Sequence, residues 1–428
     1  MKIFENPAPE SWDQLLRRPV MDTQELSATV AAILADVRDN GDSALRKYSR
    51  EFEKIEVEDF LVSDDEFLDA EAAVPAALKD ALCVAKANIE KFHALGNTNY
   101  RVIETTTGVH CWKRSLPIGK VGLYVPAGSA PLFSTVLMLA IPAKLAGCRE
   151  IVMCSPPGAD GSVSAATLYA ARLCGVTSVY KIGGAQAIAA MASGTETIPP
   201  VYKIFGPGNQ YVTEAKLQIL RTGVAIDMPA GPSEVAVLAD ASCVPEFVAA
   251  DILAQAEHGP DSQAILVTDS RFVIDEVLSA IETQIKSLPR QEIARAALTN
   301  SKAILVESIG SGIDLLNEYA AEHLIIATRD AEGVAERITN AGSVFVGNFS
   351  CESAGDYASG TNHTLPTNGA ARAYSGLSVE SFMKTLTFQK LSEDGIRALG
   401  PTIEVMAAAE GLDAHRRAVS IRREYVGS

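Results

Sequence analysis

The sequence predicts an α/β fold of two parallel-sheet modules, with a helical N-terminal part and a helical C-terminal tail. Three observations carry this. From Lys120 onward, short β-branched runs alternate with helical runs; the alternation restarts after Gly231; and residues 379–428 lack a clear strand pattern. Alternating strands and helices indicate βαβ units, which pair in parallel.

Taken in order, residues 1–19 read as an arm, with prolines at 7, 9 and 19. Residues 23–110 are helix-rich: Thr23 is placed to cap a helix from Glu25 to Asn40 that Gly41 ends. Helical character continues from Glu66 to Ala73 and, after Pro75, from Ala76 to Leu95. The first module follows, with strands Val121–Val125, Ile151–Cys154, Val179–Ile182 and Val201–Phe205. Helices Leu132–Ala146, Ser164–Leu173 and Ala185–Ala192 lie between them. The second set of strands is Val235–Leu238, Ala264–Val267, Ala303–Val306, Leu324–Ala327 and Val344–Val346. In the tail, Pro401 suits the first position of a helix Thr402–Glu410, and Gly411 suits its C-cap. The expected division is an arm 1–19, one module from 20–120 and 232–377, another from 121–231, and a tail 378–428.

Composition narrows the function. A net charge of -16 with no Lys/Arg-rich run argues against nucleic acid. Seven cysteines without a C-x-x-C pair read as reduced thiols, Cys148 and Cys154 as core residues. The N-terminus lacks an apolar signal core, and no run approaches the roughly 18 apolar residues of a membrane span. A cytoplasmic protein with no membrane partner is expected.

The most informative stretch is Ala254-Gln255-Ala256-Glu257-His258-Gly259-Pro260. A helical run from Phe247 ends there, and Gln255 and His258, three apart, share a face before Gly-Pro stops the helix. Ala321-Glu322-His323 closes another helix-like run, setting a carboxylate beside an imidazole suited to acid–base work. Residues 353–363 form a polar segment holding Asp356 and His363. A functional loop and a solvated surface loop both fit it. Gln255, His258, Asp356 and His415 offer two imidazole nitrogens and two oxygens, a donor set zinc accepts, although their wide separation makes spacing alone weak support. Turns at Tyr124–Ser129, Gly183-Gly184-Ala185-Gln186 and Gly206-Pro207-Gly208-Asn209 follow strands and precede helices. Free N–H groups in such turns can cradle a phosphate; plain connections read the same way. No G-x-G-x-x-G is present. The loop 225–234 reads as a hinge or cleft floor, where Ser233 and Glu234 face a ligand or merely turn.

Long blocks then carry a resemblance: LYVPAGSAPLFSTVLMLAIPAKLAGC (123–148), KIFGPGNQYVTEAK (203–216), AIDMPAGPSEV (225–235), AQAEHGPDSQ (254–263), ESAGDYASGTNHTLPT (352–367) and AAAEGLDAHRRAV (407–419). In this order they make the chain resemble the histidinol dehydrogenase family nearly end to end, with Ala127 where glycine is more usual. The resemblance implies two incomplete Rossmann-like modules and a domain-swapped homodimer with shared active sites. It implies Zn2+ on Gln255, His258, Asp356 and the partner's His415, and NAD against Tyr124, Gln186 and Asn209. L-histidinol would meet Ser233, Glu322, His323, His363 and Glu410 together with the metal ligands. Glu322 and His323 would be catalytic, oxidising L-histidinol to L-histidine with two NAD. A relative that oxidises another small polar alcohol, or an inactive binding homologue, is the alternative.

Overall fold

The computed structural model describes residues 1–18, 24–94, 101–127, 131–228 and 231–427. Thr23, Gly128, Ser129, Pro229 and Ala230, which figure in the expectations above, lie outside the described residues. The chain forms two compact units, Met1–Leu95 with Ile118–Phe382, and Gly96–Pro117 with Met383–Ser428.

The first unit holds two wholly parallel sheets. One has five strands in the order Ser178–Lys181, Glu150–Ser155, Lys120–Tyr124, Lys203–Phe205, Ala225–Ile226. The other has six, in the order Lys2–Glu5, Lys302–Leu305, Gln263–Thr268, Glu234–Ala239, Ala321–Ala327, Ala341–Val346. All six residues of Glu234–Ala239 and all seven of Ala321–Ala327 are buried. Central strands covered on both faces read as continuous apolar runs, which is why the sequence located them within two or three residues. The five-stranded sheet begins near its middle at Lys120–Tyr124, grows to one side, then returns to the other side of that strand; apart from the edge strand Lys2–Glu5, the six-stranded sheet does the same from Glu234–Ala239. The switch points lie between Lys120–Tyr124 and Lys203–Phe205, and between Glu234–Ala239 and Ala321–Ala327.

Several local expectations are corrected. The arm starts as an edge strand, Lys2–Glu5 pairing with Lys302–Leu305; four residues are too few to show a period. The helix Gln24–Tyr48 resumes beyond Gly41, whose φ of 49° and ψ of -132° interrupt it. The Asp42 N–H freed by that break donates to Glu196 at 2.8 Å. Met383–Leu391, expected as tail without strand, pairs antiparallel with Val109–Pro117 in the second unit. Its mostly exposed side chains supply no apolar run, and Trp112 stacking on Phe388 at 5.2 Å holds the pair. Pro401 lies inside the helix Glu393–Ala409, not at its start. The start is set by Ser392, whose hydroxyl accepts from the Gly395 N–H, a cap reinforced by Glu393 and Asp394 in the first turn. Gly411 does follow that helix with a φ of 72°.

Candidate active site

Two clusters of the expected residues form in the first unit. At the carboxyl ends of the five-stranded sheet, Tyr124, Gln186 and Asn209 line one pocket of about 540 Å³ with Phe52, Glu53 and Ala127. Gly206 makes this edge possible. Its φ is 125°, and a Cβ there would sit 2.1 Å from the Tyr124 carbonyl oxygen. Buried Lys216 donates to the Gly206 carbonyl at 2.8 Å, and Asp227 accepts from the Gly206 N–H at 2.8 Å. Several N–H groups of these turns bond within the chain. Gly183 donates to Glu53 at 2.8 Å and Gly184 to the Tyr124 hydroxyl at 3.1 Å. Asn209 caps its own helix, accepting from Tyr211 and Val212. A carboxylate, a phenol and an N-cap carboxamide thus occupy part of each helix start. The Gln186 carboxamide oxygen, by contrast, is buried without a partner.

The second cluster lies at the amino ends of the six-stranded sheet. Glu322 and His323 do not close a helix: the helix Ile309–Tyr319 ends at Ala320, held at φ 54°, and the pair opens the strand Ala321–Ala327. Glu322 Oε2 accepts from the Glu234 N–H at 2.9 Å, and His323 Nδ1 lies 3.3 Å from the Glu234 carbonyl oxygen. Gly342 permits the neighbouring strand to close in, since a Cβ there would meet the Glu322 carbonyl at 2.6 Å. Three carboxylates surround the imidazole: Glu322 at 3.7 Å, Glu352 at 3.8 Å and Asp356 at 3.6 Å. Burial opposes its charge, but Glu352, Glu322 and Asp356 outweigh that and push the His323 pKa up to about 10. Burial pushes Glu322 and Glu352 each up to about 8. A neutral His323 imidazole therefore requires another positive charge among these carboxylates.

The helix Pro245–Ala256 carries Gln255 in its last turn, and His258 follows, exposed, its N–H donating to the Gln255 carbonyl at 3.2 Å. The polar segment is partly helical, Glu352–Tyr357, and Glu352 is buried in it. Possible ligand atoms of His258, Glu352 and Asp356 lie within 4.8 Å of one another. Both polar atoms of the Gln255 side chain are buried without a partner. An unpaired buried amide costs about 1–3 kcal/mol, and a cation beside it would use the orphaned oxygen. The donor set thus fits a zinc-type ion. His363 Nδ1 lies 2.9 Å from the Asp356 carbonyl oxygen and its Nε2 3.3 Å from Thr135 Oγ1. Ser233 is half-buried immediately before Glu234. Glu410 and His415 belong to the second unit, both exposed, Glu410 capping the helix Glu393–Ala409 and His415 in the helix Asp413–Gly427.

Three residues, Glu352, Thr135 and Arg18, escaped the sequence, as did the role of Glu234. The Glu234 carboxylate is buried against Arg18. Glu352 at the head of the polar segment was the one visible signal, because a carboxylate beside apolar strand and helix has to be paired.

Comparison with known proteins gives one consistent result. The model of the histidinol dehydrogenase family matches residues 16–423. A Bacteroides fragilis protein named histidinol dehydrogenase is 55% identical over 426 residues, covering 100% of both chains. Its counterpart in Bacteroides thetaiotaomicron is 54% identical over 422 residues, covering 99% of each. The crystal structure of histidinol dehydrogenase from Elizabethkingia anophelis matches with a TM-score of 0.97 at 53% identity, covering 100% of this chain and 99% of that one.

Proposed function

The chain belongs to the histidinol dehydrogenase family and is an oxidoreductase, and from that premise we propose that it oxidises L-histidinol to L-histidine through L-histidinal. Two NAD are reduced per turnover, at a zinc site, in the cytoplasm. The observation that carries this is the orphaned Gln255 carboxamide three residues before His258, whose ring groups with Glu352 and Asp356, on the same sheet edge as a Glu–His pair.

Gln255, His258 and Asp356 would hold zinc, with His415 supplied by a partner subunit. Tyr124, Gln186 and Asn209 would hold NAD. Bound zinc supplies a template for the substrate's imidazole and amine, and NAD the hydride acceptor. The protons are handled by the chain. With a cation shared among the carboxylates, His323 is free to be neutral, and its Nε2, which has no hydrogen-bond partner, takes the alcohol proton as hydride leaves. Glu322 takes a proton from the water that adds to the aldehyde. His323 then takes a proton from the hydrate as the second hydride leaves. One water and one alcohol yield the acid, two hydrides and two protons. Ser233, His363 and Glu410 would bind the substrate's polar groups.

The crossed subunit arrangement is supported by the second unit itself. Val405 and Met406 on the helix Glu393–Ala409, Leu412 between the two helices and Ile421 on the helix Asp413–Gly427 are exposed apolar side chains in the unit that carries His415, and a partner would cover them. Among the described residues no helix is long and apolar enough to cross a membrane. The test is the NADH formed per L-histidinol consumed, with zinc content measured on the same sample. Two NADH with zinc bound is the expected result. One NADH with aldehyde released, or turnover at the same rate without metal, overturns the proposal.

A further inference from the structure

We propose that Glu234, locked by Arg18 and Tyr319, is the positioning residue of the Glu322–His323 pair. The inference rests on the assignment of that pair as the acid–base groups. Glu234 opens its strand at the switch point of the six-stranded sheet, and its backbone meets both groups. Its N–H donates to Glu322 Oε2 at 2.9 Å, and its carbonyl oxygen lies 3.3 Å from His323 Nδ1. The first contact orients the Glu322 carboxylate. The second selects a tautomer. A proton on Nδ1 donates to the carbonyl and leaves the lone pair on Nε2, the nitrogen without a hydrogen-bond partner.

A backbone can hold two reacting groups only if it is itself held. The Glu234 side chain, 1% exposed, accepts from Arg18 at both oxygens, from Nε and from Nη2 at 2.8 Å. Arg18 Nη2 also donates to the Tyr319 carbonyl at 2.7 Å, and its guanidinium lies 4.0 Å from the centre of the Tyr319 ring. The fully buried Tyr319 hydroxyl donates to Gln263 Oε1 at 2.9 Å. Arg18 thus reaches from the N-terminal segment, which is pinned by the edge strand Lys2–Glu5, to the floor of the catalytic pair. Stability alone does not explain this arrangement. Burying an ion pair costs desolvation that apolar side chains of similar size avoid, so replacing both partners is often neutral. What apolar replacements cannot do is fix the direction in which the Glu234 peptide points.

The experiment compares kcat, KM for L-histidinol and for NAD, zinc content and Tm for three variants. Arg18→Met strands the Glu234 carboxylate and should lower both Tm and kcat. The double variant Arg18→Met/Glu234→Met removes both charges. Its Tm should return to near the native value while kcat stays about 10- to 100-fold down, with both KM values and the zinc content unchanged. Arg18→Lys keeps the charge but not the two-pronged contact. It should fold normally and lose about three- to tenfold in kcat, by the same displacement on a smaller scale. A purely structural pair predicts that kcat follows Tm. Native kcat in the double variant, or in Arg18→Lys if the double variant does not fold, overturns the positioning role. His323→Ala in the native background separates the two claims. If it is inactive while the double variant keeps native kcat, only the positioning role falls; if it retains native kcat, the catalytic assignment falls and the positioning role with it.

Discussion

In the five-stranded sheet the pocket lies beyond the carboxyl ends of Lys120–Tyr124 and Lys203–Phe205, whereas in the six-stranded sheet the Glu–His pair sits at the amino end of Ala321–Ala327. Both sites flank a switch point, where the chain leaves a gap between neighbouring connections. The first follows the usual rule for open α/β sheets, in which ligands bind outside the carboxyl ends of the strands. The second inverts it. At the carboxyl edge Tyr124 ends a strand, Gln186 lies in the helix Gly184–Ser193 and Asn209 caps the next helix. At the amino edge Glu322 and His323 are themselves strand residues, buried and tied to Glu234 on the next strand. On the proposed function, the first edge binds NAD and the rigid strand ends of the second handle the protons.

The heaviest blow to the amino-edge site should come from His258→Asn. It removes one of the grouped donor side chains, far from the apolar cores, so turnover should fall to background and zinc content should drop while Tm measured without metal is unchanged. A metal-free preparation with full activity would show that this edge holds no required ion. Next in size is the exchange test of subunit crossing. His258→Ala and His415→Ala, each inactive, are mixed under subunit exchange. If each site takes His258 from one chain and His415 from the other, about a quarter of native activity returns, because half the dimers are mixed and each has one intact site. No recovery despite proven mixed dimers would confine each site to one chain.

The rigid edge can be divided further. Glu322→Gln should leave the first burst of NADH largely intact and slow the second oxidation by about 10²- to 10⁴-fold, the usual worth of a general base. His323→Ala should slow both. Identical burst and steady-state profiles would erase the division of roles. At the carboxyl edge, Gln186→Ala and Asn209→Ala should raise KM for NAD about fivefold to thirtyfold, the equivalent of about 1–2 kcal/mol, with little change in kcat. The smallest effect concerns pH. In the metal-free protein His323 is raised from 6.5 to about 10, and Glu322 from 4.5 to about 8. Both bind protons more tightly folded than unfolded. Their stabilisation is therefore full below the unfolded values and lost as pH rises through about 8 and about 10. Tm should fall between pH 6 and 10, and less steeply in Glu322→Gln. A Tm rising over that range would give these shifts the wrong sign.

The contrast also explains what the sequence disclosed. Buried parallel strands and the helix ending at Gln255–His258 were legible because their signals are local: continuous apolar runs and a Gly-Pro stop. The strand Met383–Leu391 was not, because its half-exposed face carries lysine and threonine where a period would show. The Ala-Glu-His triplet was misplaced onto a helix end because a single left-handed Ala320 makes the change to strand. Arg18 was invisible for a different reason. Its partner Glu234 lies 216 residues away, and no local pattern marks a pair closed only by the tertiary fold. In two of the glycine turns Glu53 and Asn209 take some of the N–H groups, which the turn signal alone does not disclose.

The separation of the two edges is tested most directly by titrating NAD onto His323→Ala and comparing its Kd with that of the native protein. Because His323 and the pocket of Tyr124, Gln186 and Asn209 lie on different sheets, Kd should stay within about twofold while turnover falls by about 10²-fold or more. A Kd that weakens in step with turnover would contradict the account, for it would place His323 among the groups that bind NAD.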